Sequence, residues 1–252
     1  MSCCLILHGF TGSSHEVEPL ANYLRSLGHE VHTPTLAGHG GTRKDMKQFG
    51  WQDWVQSAEE VLLRLLSQGK RVHVMGFSMG GLIAAHLAAK YPVRSLTMLS
   101  SPIYYVNRRQ LVRTVAEAVQ HRVKAFRDNP RIFRGKAHED GGDPGAKDIQ
   151  RYAMRIRITP LKAILNFQKL VRALKPDLKR VEVPTMIIQG EKEDLVQTRS
   201  AWYIYNAVRS KEKKIHFLGD SRHMICLGRD QAEVCRLVAD FITGHGGKDD
   251  ES

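Results

Sequence analysis

Short apolar runs alternate with stretches of helical periodicity at both ends of this 252-residue chain. Residues 3–7 form an unbroken apolar run that stops at His8-Gly9. Residues 30–33, 71–75, 96–99, 185–189 and 215–218 read as five further short strands. Between them, 14–27, 51–67, 79–90, 198–208 and 232–242 repeat apolar residues at helical spacing. Ser13 followed by Glu16 predicts a capping box at the start of the first helix, residues 36–41 form a Gly-rich loop, and Gly69 closes the second helix. Continuous rather than alternating apolar strands, each followed by a helix, predict a mostly parallel six-stranded α/β sheet with helices on both faces. Residues 102–180 have another texture. There 108–126 and 148–174 read as helical, an acidic Gly-rich turn spans 138–145, and no strand is convincing. The predicted organisation is a core of 1–101 and 181–244, a helical insertion at 102–180 after the fourth strand, and a flexible polar tail at 245–252.

Charge sharpens that division. Residues 102–180 hold 19 Lys+Arg against 7 Asp+Glu, whereas the other 173 residues carry 19 of each, so the insertion holds the whole net charge of +12. A basic solvated helical surface accounts for this, and weak binding to an anionic surface through the insertion is the sharper expectation. Tyr104, Tyr105, Phe126, Phe133, Tyr152 and Phe167 are interleaved with its arginines, but no nucleic-acid motif accompanies them and no specific nucleic-acid partner is expected. No apolar run approaches the roughly 20 residues that cross a bilayer. The first residues lack a basic n-region and cleavage pattern, and Cys3, Cys4, Cys226 and Cys235 form no CxxC; together these point to a reducing, cytoplasmic setting.

The candidate chemistry centres on Gly76-Phe77-Ser78-Met79-Gly80-Gly81. A GxSxG string alone is weak, but here an apolar strand runs into Gly76 and an Ala/Leu-rich helix starts at Met79. Such a strand-to-helix turn lifts the serine hydroxyl at the carboxyl edge of the sheet. A serine needs a base. Of 12 histidines, His223 stands five residues past the last strand, where functional groups of a parallel sheet collect; His8, next to Gly9, suggests loop support. No histidine or cysteine grouping has metal-site spacing, and no metal or other cofactor is expected. A carboxylate after the penultimate strand would orient the base. Glu193 and Asp194 are both well placed, and spacing does not separate them. Oxyanion donors are expected from the backbone N–H of Met79 and, in the loop His8-Gly9-Phe10-Thr11-Gly12, of Phe10.

His8 to Gly12, the elbow from Gly76 to Gly81 and Asp220-Ser221-Arg222-His223 together resemble the α/β-hydrolase superfamily, and within it the small carboxylesterases and monoacylglycerol lipases of bacilli. The likeness extends to Ile158-Thr159-Pro160-Leu161-Lys162 and to Ile204-Tyr205-Asn206. It implies an α/β-hydrolase fold with 102–180 as a helical cap, Ser78 as nucleophile, His223 as base, Phe10 and Met79 as oxyanion donors, and a small-molecule ester as substrate. By register it favours Glu193 as the acid, where the family usually has Asp, with Asp194 as the alternate; Arg222 stands where the family commonly has Gly, adding a cation beside the base. Hydrolysis of short- to medium-chain esters or monoacylglycerols is the expected activity. Thioester, amide or carbon–carbon cleavage, perhydrolysis, and a non-catalytic ligand- or RNA-binding role stay open.

Overall fold

The computed structural model describes residues 2–105, 159–193 and 195–245. Six strands, β1 (Cys3–Leu7), β2 (Glu30–His32), β3 (Val72–Phe77), β4 (Ser95–Leu99), β5 (Thr185–Gly190) and β6 (Lys213–Leu218), form one sheet in the order β2-β1-β3-β4-β5-β6. Every pairing between these strands is parallel. The expected α/β architecture is therefore the observed one. The continuous apolar runs are explained by burial on both faces. Leu5, Leu7, Val72, Val74, Leu96 and Met98 enter one core, with Trp54, Leu62 and Ile83. Cys4, Ile6, Met75, Phe77, Leu99 and Ile188 enter the other, with Leu20, Leu24, Val238 and Phe241.

Among the described residues the α-helices are α1 (Glu18–Ser26), α2 (Arg43–Gln48), α3 (Trp51–Ser67), α4 (Met79–Lys90), α5 (Leu161–Leu174), α6 (Arg199–Ala207) and α7 (Gln231–Gly244). Three departures from the sequence expectations have physical causes. The helix expected over 14–27 is a 3-10 turn, Ser14–Glu16, followed by α1 with a proline in its first turn. Ser13 makes no side-chain cap there, and Glu16 turns inward to 3% exposure rather than reaching back to cap. The short helix α2 was unforeseen, although Thr42 and Asp45 close a capping box at its start. The helix expected over 148–174 does not run through Pro160, whose backbone is extended at ψ 139°, so α5 begins at Leu161.

Helix α5 buries Ala163, Ile164, Leu170, Val171 and Leu174 in the first core. On the other side of the insertion, the carbonyls of Tyr104 and Tyr105 accept hydrogen bonds from the backbone N–H and side-chain amide of Gln197, at 2.8 and 2.6 Å. Both flanks of the insertion are thus tied to the core. The helix expected at 108–126, the turn at 138–145, the start of 148–174 and residues 246–252 lie outside the described residues. No described helix is long and apolar enough to cross a membrane, and all four cysteines are buried free thiols.

Two buried histidines make stability depend on acid. Desolvation holds the imidazoles of His39 and His73 down at about 4, from 6.5. Both are stored neutral, His39 with its Nδ1–H on the Ala37 carbonyl and His73 with Nδ1 against the Ser95 hydroxyl. Between pH 6.5 and 4 the unfolded chain binds protons that the folded one does not, so this stability is complete above pH 6.5 and is lost as pH falls towards 4. Each group contributes on the order of 3 kcal/mol over that window. Urea midpoints are expected to fall steadily from pH 7 to 4.5, and less steeply in His73→Gln; equal slopes for the two proteins would remove His73 from the account.

Candidate active site

Strand β3 ends at Phe77 and α4 starts at Met79, which leaves one residue to reverse the chain. Ser78 makes that turn at φ 52°, ψ −118°, a conformation L-residues rarely adopt. Its backbone N–H donates to the Leu99 carbonyl at 2.7 Å, which pins the elbow to β4. The glycines are required by contact. A Cβ on Gly76 would lie 2.1 Å from the Gly80 carbonyl, and one on Gly80 would lie 2.3 Å from the Leu7 carbonyl oxygen. The first turn of α4 therefore presses against the end of β1, next to the loop that carries Phe10.

His223 lies 145 residues from Ser78 in sequence, yet its Nε2 is 3.0 Å from the Ser78 Oγ. Its Nδ1 is 2.8 Å from Glu193 Oε1. A carboxylate oxygen accepts only, so Nδ1 carries the proton, and Nε2 presents its lone pair to the serine hydroxyl. The pair is sealed from water, with side-chain exposures of 3% for His223 and 1% for Glu193. Glu193 Oε1 also accepts the N–H groups of Leu195 and Val196 at 3.3 and 3.2 Å, while Oε2 accepts the Gln189 side-chain amide at 2.8 Å. The acid and base loops are held together as well. Lys192 N–H donates to the Ser221 carbonyl at 3.1 Å, and the Phe77 ring lies 5.1 Å from the His223 ring.

The loop after β1 is held from its buried side. His8 Nδ1–H donates to the Gly9 carbonyl at 2.8 Å, and its Nε2 accepts the Leu36 N–H at 3.0 Å. The Gly12 N–H also donates to the Gly9 carbonyl, at 3.2 Å. That carbonyl shares a trans peptide plane with the Phe10 N–H, so fixing the C=O aims the N–H in the opposite direction. Neither the Phe10 nor the Met79 N–H donates to an acceptor among the described residues. The Phe10 ring stacks on Phe167 of α5 at 4.6 Å and touches Trp54 at 5.7 Å, and Tyr105 meets Phe167 edge-on at 5.7 Å.

Of the residues singled out in the sequence, the structure brings Ser78, His223 and Glu193 into one hydrogen-bonded row, with Phe10 and Met79 on the segments beside it. Asp194 lies outside the described residues, and Arg222 is exposed. His8 supports the loop, as its position before Gly9 suggested. Gln189 and Phe77 were missed, because a buried amide and a ring within apolar strands carry no pattern that separates them from core. One group of metal-capable side chains occurs among the described residues, Cys3, Glu30 and His32. It lies at the start of β1, away from Ser78, and Glu30 there already binds Lys70 and His32.

Residues 2–230 match the Hydrolase_4 family, described as serine aminopeptidase, S33. A carboxylesterase of Bacillus subtilis (strain 168) is 25% identical over 239 residues, 94% of this chain and 91% of that protein. A thermostable monoacylglycerol lipase of Bacillus sp. (strain H-257) is 28% identical over 244 residues, 96% of this chain and 91% of that one. Among solved structures, one of the metagenome-derived lipolytic enzymes LipS and LipT superposes with a TM-score of 0.75 at 24% identity, covering 96% of this chain and 94% of the other. The Paleococcus ferrophilus monoacylglycerol lipase gives 0.68 at 16%, covering 96% and 94%. With the parallel sheet and the strained serine turn already in place, the match over residues 2–230 makes this chain a member of the Hydrolase_4 family of α/β-hydrolases.

Proposed function

We propose that this protein is a serine carboxylesterase that hydrolyses short- to medium-chain carboxylic esters or monoacylglycerols. The single observation that carries this reading is the buried row Ser78 Oγ, His223 Nε2, His223 Nδ1, Glu193 Oε1, with contacts of 3.0 and 2.8 Å. In the proposed cycle the Ser78 Oγ attacks the ester carbonyl as its proton passes to His223 Nε2. Glu193 stabilises the imidazolium so formed. The carbonyl oxygen gains charge between the Phe10 and Met79 N–H groups, each worth about 3 kcal/mol to such an intermediate. His223 returns the proton to the leaving alcohol. A water activated by the same imidazole then attacks the acyl-enzyme, and the acid product leaves with Ser78 restored. Side chains and water supply every proton and electron pair in this cycle.

The substrate class rests on two supports. The relatives named above are a carboxylesterase and a monoacylglycerol lipase, and the aromatic wall of Phe10, Phe167, Trp54 and Tyr105 offers an apolar surface beside the proposed oxyanion donor. In this reading 102–180 serves as a cap whose apolar side selects the acyl group. The family description names aminopeptidases, so amides are the competing class. A panel of p-nitrophenyl esters from acetate to palmitate, run beside aminoacyl p-nitroanilides and acyl thioesters, separates the two. The expected optimum in kcat/KM is an acyl chain of short to medium length, at least about 100-fold above any anilide. Faster anilide turnover would replace the esterase reading with a peptidase one.

A further inference from the structure

The proposed oxyanion loop rests on a buried carboxyl group that the catalytic row does not use. Glu16 is 3% exposed, and its Oε2 accepts the Gly9 N–H at 3.1 Å. The loop is wrapped closely around it. A Cβ on Gly12 would fall 2.0 Å from Oε2, 2.1 Å from Cδ and 2.2 Å from Oε1, and one on Gly9 would fall 3.2 Å from Oε2. Between those glycines stand Phe10, the proposed donor, and Thr11, which holds a left-handed backbone at φ 67°. A four-residue turn with a strained centre keeps one shape only where something over-determines it. His8 holds the Gly9 carbonyl, and Glu16 holds the Gly9 N–H and fills the space under Gly12.

We infer that Glu16 is a positioning residue of the oxyanion hole, acting through Gly9 and Gly12 to keep the Phe10 N–H aimed at the developing oxyanion. This inference rests on the esterase reading above. It predicts a loss in transition-state binding rather than in substrate binding, because an oxyanion donor acts mainly on charge that develops during reaction. Displacement of a catalytic group by about 1 Å lowers turnover by up to about 100-fold.

The test compares Glu16→Ala, Glu16→Gln, Gly12→Ala and the double variant Glu16→Ala/Gly12→Ala, using a p-nitrophenyl ester and an alkyl trifluoromethyl ketone as transition-state analogue. Glu16→Ala is expected to lower kcat by about 10- to 100-fold, to weaken the ketone by the same factor and to leave KM within about threefold. Glu16→Gln keeps an oxygen acceptor for the Gly9 N–H and is expected to stay within about threefold of the parent in both readouts. Gly12→Ala displaces the carboxyl group without altering it and is expected to reproduce the Glu16→Ala losses. In the double variant the added methyl occupies vacated space and costs less than about twofold beyond Glu16→Ala. Should Glu16→Ala fail to fold, Gly12→Ala and Glu16→Gln decide the matter. A Gly12→Ala enzyme with parental kcat and ketone affinity overturns the inference, as does a Glu16→Ala enzyme altered in KM alone. Ser78→Ala in the same assays keeps the two levels apart: if it still turns over the ester, the esterase reading fails. A Ser78-dependent enzyme indifferent to Glu16 defeats only the positioning role.

Discussion

Ser78→Ala is expected to lower kcat for ester hydrolysis by about 10⁵- to 10⁶-fold, the scale on which removal of a triad nucleophile acts. The magnitude follows from what remains. In the proposed cycle no acyl-enzyme forms without the hydroxyl, which leaves the Phe10 and Met79 N–H groups only direct attack by water to assist. Stability should change little. The substitution removes one hydroxyl contact to His223 Nε2 and leaves the elbow's backbone tie to Leu99 and its glycine contacts intact. The melting temperature is expected to stay within about 3 °C of the parent. A large drop in both activity and melting temperature would mean that Ser78 holds the fold, and would leave its chemistry undemonstrated.

The second large effect belongs to Glu193. All four of its described contacts come from donors: the Gln189 amide on Oε2, and Leu195 N–H, Val196 N–H and His223 Nδ1–H on Oε1. Glu193→Gln places an NH2 group in this ring of donors. Directed at Gln189 it meets another donor; directed at His223 it favours the tautomer with the proton on Nε2, which cannot accept the serine proton. A loss of about 10⁴-fold in kcat is expected, with KM nearly unchanged. Glu193→Asp withdraws the carboxylate by one methylene and is expected to cost about 10- to 100-fold, since the imidazole contact lengthens while the charge is kept. Asp194→Asn is expected to stay within about threefold of the parent. An Asp194→Asn loss as deep as that of Glu193→Gln would transfer the acid role to the neighbouring residue.

How much of this arrangement was legible in the sequence depends on how local its cause is. The elbow was readable because a strand, a glycine pair and a helix follow one another within a few residues. The approach of His223 to Ser78 was readable because β6 ends five residues before His223 and parallel sheets gather their functional groups at that edge. Strand limits were less so. Strand β3 continues through Gly76 and Phe77, where a glycine normally signals a stop, because Gly76 sits against α4 and has no room for a side chain. The choice between Glu193 and Asp194 turned on which carboxylate meets a histidine 30 residues away, a long-range matter that spacing in one loop does not encode. Glu16 matched the local rule for a capping residue and went to a different partner, the Gly9 N–H in the loop after β1. Pro160 gave the opposite lesson: a local rule available in the sequence marks the start of α5 at Leu161, and the reading of one helix over 148–174 followed the longer run of helical periodicity instead.

The role of Ser78 as the nucleophile is read most directly by covalent capture. The protein would be treated with one equivalent of a fluorophosphonate, digested, and mapped by mass spectrometry while residual esterase activity is followed. The expected result is a single phosphonyl adduct on the peptide that contains Ser78, with activity lost in proportion to labelling and no adduct formed by Ser78→Ala. An enzyme that keeps full activity while Ser78 is fully labelled, or that is inactivated by an adduct at another residue, would contradict it.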